Sequence, residues 1–268
     1  MLEEWVQHCT YLSTRKASLY SGARKILRGI QLDYVNLDDS LRIEDAGYTK
    51  SKLTLLRKLY LHEESRDVAL QLWERRCEQG KYGSVGFTTY NHFIKNDPTK
   101  KSKRASVMGP CIQSVTLTLL DNGKTAIDVF YRTTELFKKY PADLVFLRDT
   151  LLDGFDFELE EMVHHFANVT VHPMYAVTIL PHLDDPVRWL EQLKKGDPYF
   201  YNWVIKWTAR YLCDEHHRGI AKFAQAMRVY KDARERIDED MQEELAKYLR
   251  ANHPGHRNAY EGDDGDDE

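Results

Sequence analysis

Apolar residues recur at helical spacing in three parts of the chain. Residues 1–30 are predicted to be mostly helical, and residues 50–79 are predicted to form two helices, KSKLTLLRKLYL and ESRDVALQLWERRCEQG. The second of these helices is expected to end at Gly80, because glycine often follows the last helical residue. Residues 186–251 are also predicted to be mostly helical, with a charged amphipathic stretch from about Ile220 to Arg250.

Strands are predicted in the middle of the chain, where β-branched and aromatic residues alternate with polar ones. The segments SVGFTTYNHF, CIQSVTLTLL and KTAIDVFYRT fit this pattern, and Asp121-Asn122-Gly123 between the last two predicts a hairpin turn. A helix is expected over DLVFLRDTLLDGF, followed by a strand over NVTVHPMYAVTI. Because helices and strands are mixed without strict alternation, the sequence predicts an α+β fold, in a single domain over residues 1–252.

The distribution of charge excludes some classes of function. The chain has 38 Lys and Arg residues against 42 Asp and Glu residues, and six of the acids lie in the last eight positions. Residues 253–268 are therefore expected to form a disordered acidic tail. The rest of the chain is nearly neutral, which argues against direct nucleic-acid binding. No apolar run approaches the roughly 18 residues of a membrane span, and the N-terminus lacks the features of a secretory signal, so a cytoplasmic protein is expected.

The cysteines do not form a recognisable metal or disulfide pattern. The chain has four of them, Cys9, Cys77, Cys111 and Cys213, far apart and without a CxxC pair. No zinc site is expected from this spacing, and a disulfide framework is not expected in a chain of this size. The sequence also has neither GxGxxG nor GxxxxGK[ST], the glycine-rich loops that bind phosphates in many proteins. Four reduced thiols in a reducing compartment are therefore expected.

An ordered set of short motifs lies in residues 109–144, GPCIQSVTLTLLDNGKTAIDVFYRTTELFKKYPADL. Pro110-Cys111 opens a strand, Arg132-Thr133 begins 21 residues after the cysteine, and Asp143 lies 11 residues after that arginine. Together with motifs further on, this set resembles the family of thymidylate synthases and pyrimidine nucleotide hydroxymethylases, over about residues 80–180. The resemblance implies a thymidylate synthase-like mixed sheet with surrounding helices, and a homodimer that forms through the sheet.

The resemblance also implies roles for the residues at the start of this segment. In the family, the cysteine adds to C6 of the pyrimidine, so Cys111 would be the nucleophile. Arg132 and Thr133 would bind the phosphate, and Gln113 would also contact the substrate. Such a thiol must be partly ionised, and a neighbouring arginine and the residues of the phosphate-binding shell are expected to lower its pKa. The simpler interpretation is that Cys111 is a buried core thiol and Arg132 an ordinary surface residue.

Asp143 occupies the position at which thymidylate synthases have an asparagine that contacts uracil. A carboxylate accepts hydrogen bonds, which suits the C4 amino group of cytosine, and N3 once N3 becomes protonated. Aspartate at this position is typical of deoxycytidylate hydroxymethylases, so the resemblance implies a cytosine nucleotide. The simpler interpretation is that Asp143 caps a helix beginning at Leu144, since aspartate is a favoured N-cap residue. The two roles are compatible.

Two further pairs of residues would complete the implied nucleotide site. His172 and Tyr175 would hold sugar hydroxyls, as a His-x-Tyr motif does in the family, although one extra residue separates them here. Lys103-Arg104 matches a basic pair that reaches the phosphate bound by the partner subunit, and another alignment moves this pair to about Lys81. The simpler interpretation of His172 and Tyr175 is an ordinary strand residue and a half-buried aromatic. The simpler interpretation of Lys103-Arg104 is a solvated basic loop.

The sequence departs from the family where the folate co-substrate binds. Glu135 replaces the aspartate that contacts folate, and Lys139 replaces a glycine that lets folate approach the backbone closely. A catalytic glutamate has no direct match, since Arg57 and Lys58 occupy the expected region and Glu63, with its neighbour Glu64, is the nearest acid. The co-substrate 5,10-methylenetetrahydrofolate is therefore implied by the resemblance alone.

The function that the resemblance implies is a pyrimidine C5 one-carbon transferase that hydroxymethylates deoxycytidine monophosphate. Cys111 would add to C6, and the activated C5 would attack the methylene group carried by the folate. Enzymes of this kind serve nucleotide biosynthesis and DNA modification, including phage enzymes that modify cytosine. Three alternatives stay open: methylation of dUMP or dCMP, a repurposed nucleotide-binding protein of the same fold, and an unrelated α+β interaction protein.

Overall fold

The computed structural model describes residues 1–89, 111–212, 237 and 239–252. Contacts between Cα atoms divide the chain into two compact units. Unit 1 comprises Met1–His8 and Ile26–Thr170, and unit 2 comprises the described residues of Cys9–Lys25 and Val171–Glu268. The disordered tail expected at 253–268 and the basic pair Lys103-Arg104 lie outside the described residues.

The described strands form one mixed sheet. They are β1 (Leu19–Ser21), β2 (Arg24–Tyr34), β3 (Gly83–Thr88), β4 (Ile112–Leu119), β5 (Thr125–Glu135) and β6 (Leu159–Val171), in the order β1-β2-β6-β5-β4-β3. The β3–β4 and β4–β5 pairs are antiparallel, whereas β5 and β6 are parallel. A mixed sheet with flanking helices confirms the predicted α+β class.

The helices of unit 1 lie close to their predicted positions. They are α1 (Leu2–Thr14, which continues into unit 2), α2 (Ser51–Tyr60), α3 (Glu63–Gln79) and α4 (Lys139–Phe146), which continues as a π-helix over Leu147–Leu151. Helix α3 ends where the sequence predicts, because Gly80 adopts a left-handed φ of 59° and its N–H donates to the carbonyls of Arg76 and Cys77. Such a conformation carries no Cβ penalty for glycine.

The predicted β4–β5 hairpin is also confirmed. The Lys124 N–H donates to Asn122 Oδ1 at 3.0 Å, and Gly123 adopts a positive φ of 82°. Cross-strand pairing then runs from Leu119 opposite Thr125 to Ile112 opposite Tyr131. The alternating apolar residues of both strands are buried, so this hairpin forms part of the core of unit 1.

Two predictions of secondary structure are wrong. Residues 15–30 are not helical, since β1 and β2 follow directly after α1, and β2 alternates buried and exposed residues despite its charged positions. The strand predicted over residues 168–179 instead begins at Leu159 and ends at Val171, where a 3₁₀-helix takes over from Pro173 to His182. Pro173 is at the first helical position, where its missing N–H costs no hydrogen bond.

The C-terminal part of unit 2 is helical, as predicted, over α5 (Pro186–Gly196), α6 (Pro198–Leu212) and α7 (Glu239–Asn252). An ion pair is buried in this unit, with Lys25 Nζ 2.9 Å from Asp197 Oδ2. Asp197 also caps α6 by accepting the Phe200 N–H at 3.1 Å. Within the described residues, no helix is long and apolar enough to cross a membrane.

Candidate active site

Strands β4 and β5 bring Cys111 and Arg132 together. The Arg132 N–H donates to the Cys111 carbonyl oxygen at 3.0 Å, so residues 21 apart in sequence are neighbours across the sheet. The β4–β5 register shifts between Ile112 and Ser114, which is the signature of a β-bulge next to the cysteine. The thiol is half-buried and is not in a disulfide.

Asp143 lies against the same thiol. Its side chain is only 7% exposed; Oδ2 accepts a hydrogen bond from Thr134 Oγ1 at 3.0 Å, and its carboxyl is also hydrogen-bonded to the Cys111 thiol. Helix α4 begins at Lys139 with Lys138 as its N-cap, which places Asp143 inside the helix. The interpretation of Asp143 as the cap of a helix beginning at Leu144 is therefore wrong.

Burial and proximity shift the pKa values of both groups in this pair. Desolvation raises the pKa of Asp143 to about 7, although hydrogen bonds from Cys111 and Thr134 partly offset this rise. Desolvation also raises the pKa of the Cys111 thiol, and the charge of Asp143 raises it further. The expectation that an arginine would lower the thiol pKa is therefore wrong for the protein without ligand.

Tyr60, at the end of α2, also belongs to this cluster, although no motif in the sequence singles it out. Its hydroxyl is close enough to Cys111, Asp143 and Arg132 to interact electrostatically with all three. Burial raises its pKa first, and the two acidic groups raise it further, while Arg132 lowers it. A half-buried tyrosine at this place gives the cluster a neutral hydroxyl donor at physiological pH.

Two lysines supply positive charge around Asp143. The charges of Lys139 and Lys52 both act to lower the pKa of Asp143, and Lys139 acts in the same direction on Cys111. Lys52 Nζ lies 5.0 Å from the ring centroid of Tyr48, and Lys138 Nζ lies 5.3 Å from the same centroid. This arrangement favours anions, and neither lysine was predicted to line the nucleotide site.

Tyr131 closes the buried side of the cluster. It is fully buried, its pKa is raised well above the ordinary value by desolvation, and it interacts with Asp143 and Cys111. Its ring stacks on Phe166 with centroids 4.4 Å apart, and on His164 with centroids 5.3 Å apart. These aromatic contacts fix the strand that carries Arg132 and Thr134.

Three other predicted site residues lie apart from the hydrogen bonds of this cluster. Glu63 is exposed in the first turn of α3, and Gln113 is exposed at the bulge of β4. Thr133 is half-buried and pairs with Asn168 of β6. Lys81, which the other alignment offers as the basic residue, is exposed between α3 and β3.

Glu135 has a structural contact that competes with its implied role in folate binding. It is 7% exposed, and its Oε2 accepts the Lys138 N–H at 2.8 Å, immediately before α4. Lys139 adds an exposed side chain next to Cys111 and Asp143, at the position where the family has glycine. These residues do not fit folate in the way the family binds it.

His172 and Tyr175 lie together in unit 2. Their ring centroids are 5.5 Å apart, and His172 Nδ1 accepts the Met174 N–H at 3.2 Å as the N-cap of the 3₁₀-helix. Burial, and to a lesser degree the charge of Arg24, lower the pKa of His172 to about 4. The imidazole is therefore neutral at physiological pH, with Nδ1 as an acceptor.

Comparisons with protein-family models and with curated proteins found no match for this chain. In the described part of the chain, no group of three or more His, Cys, Asp or Glu side chains is arranged to hold a metal ion. The chemistry of the site must therefore be argued from its own side chains.

Proposed function

We propose that the protein is a pyrimidine C5 one-carbon transferase that acts on deoxycytidine monophosphate. The observation that carries the proposal is the contact between the Cys111 thiol and the Asp143 carboxyl, with Arg132 beside them. A nucleophile, a base-reading carboxyl and a phosphate ligand are the three groups that the resemblance requires. Cys111 lies just before β4, Asp143 lies in α4, and Arg132 lies on β5 with an exposed side chain. This placement of the three residues supports the proposal.

The raised pKa of Asp143 supports a cytosine base. A carboxylic acid can donate to N3 while its other oxygen accepts from the C4 amino group. Cytosine N3 is a much stronger base than the O4 carbonyl oxygen of uracil, so it takes a larger share of the proton. Above pH 7, where Asp143 is ionised, uracil O4 would face an acceptor, while cytosine can still bind with N3 protonated.

The same carboxyl provides a proton path for covalent addition. As Cys111 Sγ bonds to C6, the thiol proton passes to the Asp143 carboxylate, and the protonated carboxyl gives it to N3. The electrons of the C5–C6 double bond move toward C4, which leaves a neutral adduct with a nucleophilic C5. The adduct itself is neutral, and the relay returns Asp143 to the carboxylate form in which it began, so no further buried charge is created.

The nucleophilic C5 would then attack a one-carbon electrophile, and loss of the C5 proton and of the carrier would leave an exocyclic methylene group. Water would add to this methylene carbon as the C5–C6 double bond re-forms and the Cys111 thiolate leaves C6, which gives the hydroxymethyl product and takes the water proton back to the thiol. In the resemblance, methylenetetrahydrofolate supplies this carbon. Glu135 and Lys139 do not fit folate as the family binds it, so the proposal leaves the one-carbon donor open. The homodimer and the use of the product in DNA modification are likewise parts of the proposal.

Two observations favour a second candidate, a nucleotide-binding protein without catalysis. The thiol of Cys111 is protonated in the protein without ligand, and Glu63, the nearest acid to the expected catalytic position, is exposed. This candidate keeps the nucleotide preference of the first and lacks the covalent step. The two are separated by a reaction at C5 rather than by binding.

Base choice is tested by competition binding of dCMP and dUMP to the wild type and to Asp143→Asn. Above pH 7, where Asp143 is ionised, we expect the wild type to prefer dCMP by roughly tenfold to a hundredfold, because a mismatched buried acceptor costs about 1–3 kcal/mol. The asparagine variant should shift toward dUMP, since an amide donates to O4 and accepts from N3–H. Asp67→Asn, at an exposed residue of α3, is the matched control. An unchanged preference in Asp143→Asn would exclude the cytosine assignment.

A further inference from the structure

A cavity of about 530 Å³ lies at the other end of the β4–β5 hairpin from Cys111. Helix α3 contributes Trp73, and the hairpin contributes Leu120 and Thr125 to its lining. Eight residues separate Cys111 from Leu119, so at about 3.3 Å per residue the cavity is roughly 25 Å from the thiol. It is therefore a separate site, within the same unit as the Cys111 cluster.

The charged residues that line this cavity, among those described, are all acidic. Five of the described residues that line it carry carboxylates, namely Glu74, Glu78, Asp121, Asp156 and Glu158, and none of those lining it is basic. The nearby Lys124 is 2.8 Å from Glu160 and 3.6 Å from Glu158, so it offsets one of the five. The remaining excess of negative charge favours a cation with more than one charge.

Thr125 is an independent sign of a ligand. Its side chain is fully buried and lines the cavity, yet its Oγ1 has no hydrogen-bond partner among the described residues. A buried hydroxyl without a partner is unfavourable, and native proteins usually satisfy such groups. Because Thr125 lines the cavity, rotation of its side chain toward the cavity would let Oγ1 accept a hydrogen bond from an ammonium group of a ligand.

The cavity also has an apolar part. Trp73, Leu119, Leu120 and Phe157 line it together with the carboxylates. Its volume falls in the range of small-molecule sites, and no group of three metal-ligating side chains was found in the described residues. These properties suit methylene groups between charged ends better than a bare metal ion.

From this cavity we infer a binding site for an organic polyamine, an aliphatic chain with two or more ammonium groups. The carboxylates at the rim bind the outer ammonium groups, and Thr125 Oγ1 accepts a hydrogen bond from one that enters the cavity. The methylene groups pack on the apolar part of the lining. This inference does not rest on the proposed enzymatic function.

The test is calorimetric titration of spermidine into the full-length protein at about 0.15 M salt, with three variants. Glu74→Gln/Glu78→Gln removes two rim carboxylates, and Thr125→Val removes only the buried hydroxyl at constant shape. Glu243→Gln/Glu244→Gln changes an exposed acidic pair on α7 and is the matched control for net charge. Thermal unfolding of each variant verifies that it is folded.

We expect roughly tenfold weaker spermidine binding in Glu74→Gln/Glu78→Gln and in Thr125→Val, because each loses hydrogen bonds to a charged group. The control pair should bind as the wild type does. Thr125→Val should unfold at the same or a higher temperature, since it removes an unpaired buried hydroxyl. Equal weakening in the control pair, unchanged binding in Thr125→Val, or displacement of spermidine by Mg²⁺ at equal ionic strength would each overturn the inference.

Discussion

The thiol of Cys111 and the carboxyl of Asp143 are coupled at the level of single residues. Burial raises the pKa of both groups, the Asp143 carboxyl raises that of Cys111 further, and the hydrogen bond from the Cys111 thiol lowers that of Asp143. The two groups therefore titrate as a coupled pair. With the pKa of Asp143 at about 7, the first proton of the pair leaves near neutral pH. The singly ionised pair can then place the charge on sulfur while the carboxyl keeps the proton.

This coupling predicts the pH dependence of thiol reactivity. The rate at which iodoacetamide alkylates Cys111, followed by peptide mass spectrometry, should rise with an inflection near pH 7 in the wild type. In Asp143→Asn that inflection should be lost, because the amide cannot accept the thiol proton and the rate then follows the thiol alone. Cys77, which is exposed, provides an internal control in the same samples. Identical profiles for Cys111 in the two proteins would show that Asp143 does not take its proton.

Asp143 also makes the stability of the protein depend on pH. Its pKa is about 7 in the folded protein and near 4 in an unfolded chain, so between these values the folded state keeps a proton that the unfolded state has lost. Rising pH therefore destabilises the wild type over this interval, by up to about 4 kcal/mol. The free energy of unfolding of Asp143→Asn, relative to the wild type, should increase from pH 4 to pH 7.

Urea unfolding at several pH values measures this difference. His8 and His172, whose pKa values are both lowered to about 4, destabilise both proteins equally as the pH falls. The difference in the free energy of unfolding between the two proteins therefore reports the ionisation of Asp143 alone. A difference between the two proteins that is constant with pH would mean that Asp143 is ionised throughout the interval.

At the level of elements, local signals in the sequence were sufficient to predict many of the helices, strands and turns. The end of α3 at Gly80 and the turn at Asn122-Gly123 each depend on the backbone freedom of one glycine, so the sequence predicts both. Strand β2 was missed because its alternation includes exposed arginines and a buried Lys25, whose cost is offset by the distant Asp197 and by the carbonyls of Ser13 and Arg15. A buried charge with a long-range partner leaves no local signal.

The candidate site was predictable to a similar extent. The family resemblance singled out Cys111, Arg132 and Asp143, and antiparallel pairing of β4 with β5 and a short connection to α4 account for their proximity in the structure. Tyr60 and Lys52 could not be found this way, since their approach to Asp143 depends on how α2 packs in unit 1. The direction of the Cys111 pKa shift was also missed, because burial outweighs nearby positive charge.

For the whole molecule, one exposed aromatic residue of the sheet, Phe130, bears on the proposed homodimer. Phe130, on the central strand β5, is 42% exposed and stacks on His165 at 4.6 Å, and His165 Nε2 lies 2.6 Å from Asp128 Oδ1. An exposed aromatic ring on a central strand is unusual unless another surface covers it. A second copy of the chain, related by two-fold symmetry, would cover it on both partners.

Light scattering at micromolar concentration tests the dimer. We expect the wild type to be a dimer and Phe130→Glu to be a monomer, because each interface would then bury two unpaired carboxylates. Val68→Glu, at a residue of α3 that is 57% exposed, should stay dimeric and is the matched control. A monomeric wild type would exclude the dimer, and a dimeric Phe130→Glu would exclude this face of the sheet.

The covalent step at Cys111 is the central claim, and tritium release from C5 of labelled dCMP tests it most directly. Addition of the thiol to C6 makes C5 nucleophilic, so C5 exchanges its hydrogen with water even without a one-carbon donor. We predict release by the wild type and by Cys77→Ser, and none by Cys111→Ser, which should still bind dCMP. A wild type that binds dCMP without releasing tritium, or a Cys111→Ser variant that releases it at the wild-type rate, would contradict the account.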